Sequence, residues 1–74
     1  MNNEIGVGLG PDRMELLLQK LGNRVRNLSV RIIDGQLILE GNSTSYHAKQ
    51  LAQHEATEQT GLSVLANNIV VCRT

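Results

Sequence analysis

Aromatic residues are almost absent from this chain of 74 residues, which has no Phe and no Trp and a single Tyr, Tyr46. Its core must therefore be built from Leu, Ile, Val and Ala. A chain this short buries only about 60% of the surface that its unfolded form exposes. A small aliphatic core leaves only about 3–5 kcal/mol of net stability. We therefore expect one small domain that gains stability from a partner, most simply as a homo-oligomer such as a dimer.

Thiols and imidazoles are equally scarce. Cys72 is the one cysteine, which excludes an intrachain disulfide, and His47 and His54 are the two histidines. These side chains are too few for a four-ligand zinc site. The two histidines would stand about 10 Å apart along one helix, which is too far for a shared ion. We predict no metal and no cofactor.

Neither sign of charge is in excess, because 7 Lys and Arg balance 7 Asp and Glu. Nucleic-acid binding draws its affinity largely from a basic surface that displaces counterions, and single-strand binding also needs aromatic stacking platforms. The composition therefore argues against a nucleic-acid partner. It also weakens the case for strong attraction to anionic lipid.

Residues 1–10 have a polar start followed by glycines with the spacing G-x-G-x-G. A dinucleotide-binding loop needs G-x-G-x-x-G after a strand. We interpret residues 1–10 as a flexible N-terminal tail and residues 11–74 as a single domain. The start has no basic segment and no apolar run of signal or membrane length. We expect a cytoplasmic chain, or a periplasmic one if a leader has been removed.

A first helix is predicted from Pro11, a residue favoured at the first helical position. Its apolar side chains recur with helical spacing and would form the inward stripe. They are Met14, Leu17, Leu18, Leu21 and Val25. Gly22 or Asn23 is expected to end this helix.

A β-hairpin follows, centred on the two-residue turn Asp34-Gly35. Such a turn is typical of type I′ hairpins and fixes the register, pairing Val30 with Leu39. One face then carries Leu28, Val30, Ile32, Leu37, Leu39 and Gly41. The other carries Ser29, Arg31, Ile33, Gln36, Ile38 and Glu40. We interpret Asp34, Gly35 and Gly41 as structural, Gly41 because the chain must bend there towards the next helix.

A second helix is predicted after the capping residues 42–45, with Ala48, Leu51, Ala52 and Ala56 inward and Gly61 as its C-terminal cap. The β-branched run from Val64 to Cys72 predicts a last strand. In that strand Leu65, Ile69 and Val71 would face the core, while Val64, Ala66, Asn68, Val70 and Cys72 would face away. The fold class is therefore α+β, in the order α-β-β-α-β, with both helices on one face of a three-stranded sheet. The position of the last strand in the sheet stays open.

Three segments carry a resemblance to a known family. They are the glycine-bounded strand Gly35–Gly41, the helix start Ser45–Ala52, and the closing segment Gly61–Val71. Together they resemble the BON domain, a bacterial domain associated with osmotic stress and nodulation. The resemblance implies the α-β-β-α-β fold and a non-catalytic binding module. For function it implies contact with phospholipid in envelope or stress responses, which is the alternative to the protein docking and self-association that the small aliphatic core favours.

No constellation typical of catalysis is evident. The hydroxyls of Ser43, Thr44 and Ser45 stand where helix caps stand, and no general base that could activate the Cys72 thiol lies close to it in sequence. We predict a protein that is not an enzyme. The candidate interface is the sheet face away from the helices, or the edge strand beside it. Its residues are Arg31, Ile33, Ile38, Glu40 and Val70.

Overall fold

The computed structural model describes residues 7–72, in which two helices pack against one face of a mixed β-sheet. The elements are β1 (Val7–Gly8), α1 (Pro11–Leu21), β2 (Val25–Ile33), β3 (Gln36–Ser43), α2 (Tyr46–Thr60) and β4 (Val64–Val71). The strand order is β1-β2-β3-β4, with β3 and β4 parallel and the other pairs antiparallel. The predicted α+β class and α-β-β-α-β order are confirmed, and β4 lies beside β3.

The two-residue strand β1 was not predicted. Val7 pairs with Ile32 and Gly8 pairs with Arg31, and Leu9 packs against the core. The structure therefore differs from the predicted tail at these positions, because the chain adds a short strand to the edge of β2. The rest of that predicted tail, residues 1–6, lies outside the described residues.

Helix α1 begins at Pro11, as predicted, and ends at Leu21. Gly22 caps it with a φ of 61°, and its N–H donates to the carbonyl of Leu18. Val25 is buried but belongs to β2, so assigning it to the helical stripe was wrong. Leu17 and Leu21 point into the core, whereas Leu18, about 100° round the helix, is 43% exposed.

The β2–β3 hairpin has the predicted register, with Val30 opposite Leu39 and Ile33 opposite Gln36. Asp34 and Gly35 have φ angles of 52° and 74°, the pair of positive values that a type I′ turn requires. Val30 and Leu39 are both buried. The turn and the alternation therefore act together to bury one face of the hairpin.

Gly41 has a different structural role from the one predicted. It lies inside β3, opposite an irregularity of β2 between Arg26 and Ser29, where Asn27 has a φ of 56°. A Cβ on Gly41 would stand 2.9 Å from the main-chain oxygen of Arg26, and its φ is 151°. Glycine is required here by the bulge and the close approach of two main chains, not by a bend into α2.

Helix α2 has the predicted caps. The Ser45 hydroxyl accepts a hydrogen bond of 3.1 Å from the Ala48 N–H, and Gly61 ends the helix with a left-handed φ of 72°. The inward residues Ala48, Ala52 and Ala56 are all buried. Because alanine has a short side chain, the helix main chain lies close to the sheet.

Strand β4 has a register shift against β3, between the pairs Leu37–Val64 and Ile38–Ala66. Leu65 lies in the shift and is 55% exposed, whereas Val64 packs against the core. The predicted orientation of these two residues was wrong, because a bulge breaks the strict alternation of a strand. Ile69 is buried, as predicted.

The core lies between the helices and the sheet, and its buried apolar side chains are all aliphatic. They are Leu17, Leu21, Val25, Val30, Leu37, Leu39, Ala48, Ala52, Ala56 and Ile69. In the part of the chain that the structure describes, no helix is long and apolar enough to cross a membrane.

Candidate functional site: the open sheet face and the β4 edge

The sheet face away from the helices, here called the open face, carries all five residues predicted as the interface. Strand pairing puts Arg31 beside Ile38, Ile33 beside Gln36 and Ser29 beside Glu40 on this face. On the other side of β3, Val70 pairs with Asn42. The structure therefore brings Arg31, Ile33, Ile38, Glu40 and Val70 together on one surface. Their role as an interface stays a prediction.

Apolar side chains form part of the open face. Val70 is 57% exposed, and Ile33, Ile38 and Ala66 are half-buried by their neighbours. Ile38 is central, because it lies between Arg31 on β2 and Ala66 on β4. Both helices pack on the opposite face, so the open face is a mixed surface of aliphatic and polar groups.

One ion pair crosses this surface. An Nη atom of Arg31 lies 3.2 Å from an Oε atom of Glu40, and the two side chains are 38% and 47% exposed. Exposed pairs of this kind contribute about 0–1 kcal/mol to stability. The pair therefore places one positive and one negative group side by side, so two copies of the face can match in charge. Its contribution to the stability of the fold is small.

A hollow lies at the end of the open face farthest from the hairpin turn. It is lined by Arg26, Asn27, Asn42, Ser43, Thr44 and Cys72. The exposed Cys72 thiol is 3.9 Å from the Asn42 side-chain oxygen. Sequence reasoning missed this hollow, because it depends on the β2 bulge and on where β4 ends. Nothing polar in it is both buried and without a partner: Ser43, which is buried, donates to the Ser45 carbonyl.

Two of the hydroxyls that precede α2 have structural partners. The Ser45 hydroxyl caps α2 and the Ser43 hydroxyl bonds the main chain beside it. Across residues 7–72, no group of three or more His, Cys, Asp or Glu side chains is arranged to hold a metal ion. The Ser43 and Ser45 hydroxyls therefore stabilise the connection between β3 and α2.

One of the two edges of the sheet is β4, and the middle of this edge is covered by a side chain. Asn67 Oδ1 accepts a 3.2 Å hydrogen bond from the Ile69 N–H. Its Nδ2 donates to the Lys49 carbonyl and to Gln53 Oε1, both on α2. Side chains that cover an exposed edge hinder its pairing with another chain. The Asn67-Asn68 pair was a visible irregularity in an apolar run, but its sequence does not reveal which asparagine turns towards the helix.

A shallow groove runs beside this edge along α2. It is lined by Tyr46, Lys49, Gln50, Gln53, His54, Thr57 and Asn67. The opposite side of α2 faces α1, where Lys20 lies 4.0 Å from Glu55 and Arg13 donates to the Gln59 carbonyl. The groove side thus carries a lysine and a histidine, and its lining contains no carboxylate.

Comparison of the chain with protein-family models, with curated proteins and with solved structures gave no match.

Proposed function

We propose that this chain is a non-catalytic binding and assembly module of the BON type, which self-associates through its open face and docks on protein partners. The order α-β-β-α-β, with glycines at positions 35, 41 and 61, supports the resemblance to that family. The single observation that carries the proposal is the open face, where aliphatic side chains and one ion pair lie together on the side without helices.

Charge favours a second copy of this chain as the occupant. The Arg31–Glu40 pair presents one positive and one negative group side by side. A two-fold axis near this pair brings Arg31 of one copy to Glu40 of the other, and Ile38 of both copies to the centre. Sheets that pack face to face place their side chains in a shared layer about 10 Å thick.

The size of the face limits the strength of this association. Strands of about eight residues extend roughly 25 Å, and three strands span about 15 Å. This gives a projected area on the order of 400 Å², below the roughly 800 Å² per partner of a standard stable interface. We therefore expect weak self-association, measurable above about 100 µM.

The test is the mass in solution across a concentration series, measured by sedimentation velocity. Wild type should gain mass as its concentration rises, and Ile38→Glu should remain a monomer because it buries a charge at the centre of the interface. The control is Leu16→Glu, which changes a 47% exposed leucine on α1 and should associate like wild type. A monomeric wild type at the highest concentration, or association that Ile38→Glu does not change, would refute the proposal.

The same variants separate a protein surface from a lipid surface. Flotation with vesicles containing anionic phospholipid at low salt should leave the wild-type chain unbound, because the charges of the open-face pair cancel. Flotation that Ile38→Glu abolishes, with no change of mass in solution, would instead establish phospholipid as the occupant.

A further inference from the structure

We propose that the free edge of β4, together with the groove along α2, accepts an extended acidic segment of another protein as an added strand. In this proposal the Asn67 side chain occupies, in the unbound chain, one of the hydrogen-bonding positions that the added strand would take. The site is distinct from the open face, so it adds a second docking surface to the proposed function.

The main-chain groups of β4 point the right way for strand addition. The Cys72 N–H donates to the Ser43 carbonyl of β3 at 2.8 Å. Successive N–H groups of a strand point to opposite sides, so those of Val71 and Ile69 point to the free edge. An added strand pairs with such groups through its own main chain. The edge therefore offers donors and acceptors that β3 does not use.

Asn67 already imitates one contact of an added strand. Its side-chain oxygen bonds the Ile69 N–H at 3.2 Å, the position that a carbonyl of an incoming strand would take. The two Nδ2 bonds to α2 hold the amide there. An incoming strand must displace this oxygen, so Asn67 weakens strand addition and excludes poorly matched segments.

The groove selects the charge of the segment. Lys49 and His54 line it, and no carboxylate does, so acidic side chains of an added strand would meet positive or neutral groups. A second copy of this chain pairing through β4 would bring another Lys49 to the same edge. Like charges facing each other oppose that pairing. Leu65, which is 55% exposed, supplies an apolar contact at the start of the strand.

The experiment is an NMR titration of the ¹⁵N-labelled chain with two probes. One is an eight-residue peptide of alternating glutamate and valine with blocked ends, and the other has lysine in place of glutamate. The acidic peptide should shift the amide signals of residues 65–71 and the side-chain amide of Asn67, and the basic peptide should not. Absence of these shifts with the acidic peptide, in both wild type and Asn67→Ala, or equal binding of both peptides, would overturn the proposal.

Neighbouring asparagines provide matched variants. Asn67→Ala should bind the acidic peptide about fivefold more tightly, because no internal hydrogen bond has to be displaced. Asn68→Ala, which changes the open-face side of the same strand, should bind like wild type. Lys49→Glu should lose the preference for the acidic peptide. Ile38→Glu should bind the acidic peptide as wild type does. A failed peptide-binding prediction at the β4 edge can therefore be told apart from a failed self-association prediction at the open face.

Discussion

The main-chain oxygen of Arg26 lies 2.9 Å from the position that a Cβ on Gly41 would occupy. The two residues come from adjacent strands, at the point where β2 bulges. Main chain cannot swing aside as a flexible side chain does, so any larger residue at position 41 must push the two strands apart. The glycine therefore fixes how closely β3 follows the bulge.

Gly41→Ala should accordingly lower the free energy of unfolding by about 2–3 kcal/mol, through the clash and the positive φ. Urea denaturation followed by circular dichroism measures this change. Gly10→Ala is the control, because nothing lies within 4 Å of its Cβ position; Gly10 is also the N-cap of α1, so its effect should stay within about 1 kcal/mol. Equal stability of the two variants would show that the strands relax around the added methyl group.

The hairpin turn gives a second prediction. Asp34 has a φ of 52°, a region that Asn tolerates and that β-branched residues strongly disfavour. Asp34→Val should therefore lower the free energy of unfolding by about 1–3 kcal/mol, whereas Asp34→Asn should change it by less than about 0.5 kcal/mol. Thermal unfolding of both variants at one protein concentration is the measurement. If Asp34→Val is as stable as Asp34→Asn, the positive φ at position 34 does not limit the stability of the fold.

The alanine face of α2 gives a third prediction. Ala52 is 1% exposed, and the helix lies close to the sheet because its inward residues are small. Ala52→Leu should cost about 1–3 kcal/mol of unfolding free energy by overpacking. Gln50→Leu adds a leucine to the exposed side of the same helix and should change stability by less than about 0.5 kcal/mol. Urea denaturation of the pair tests this, and a stabilising Ala52→Leu would reveal unfilled space under α2.

Much of this fold follows from short-range signals in the sequence. The turn Asp34-Gly35 sets the β2–β3 register by itself, and Ser45 and Gly61 bound α2 because caps satisfy main-chain groups locally. These features depend on residues a few positions apart. They were therefore predicted correctly without knowledge of the tertiary structure.

The errors arise where distant segments meet. Leu65 and Val64 exchange faces because β4 bulges against β3, a mismatch between two strands that neither sequence alone contains. The role predicted for Gly41 was wrong for the same cause, because the bulge that requires a glycine at this position lies in the neighbouring strand β2. For the open face, alternation grouped the five candidate interface residues correctly, but the Asn67 cover of the β4 edge depends on contacts with α2 that no local pattern encodes.

The Arg31–Glu40 pair allows a decisive charge-exchange test of the open face. Arg31→Glu alone would put two carboxylates together in each copy and across the proposed two-fold interface. Glu40→Arg alone would do the same with two guanidinium groups. Each single variant should therefore abolish the concentration-dependent mass gain, and Arg31→Glu combined with Glu40→Arg should restore it. Monomer stability should change by no more than about 1 kcal/mol, because both side chains are exposed.

Sedimentation velocity at about 300 µM, above the expected association threshold, measures the outcome. The control is the corresponding exchange on the helices, Lys20→Glu combined with Glu55→Lys. These two residues lie 4.0 Å apart, and the exchange should leave association unchanged. Restoration by the double variant at positions 31 and 40, and not by either single change, is the result expected if the two groups meet across copies. If the single variants associate as wild type does, the ion pair lies outside the interface and the proposed two-fold arrangement is wrong.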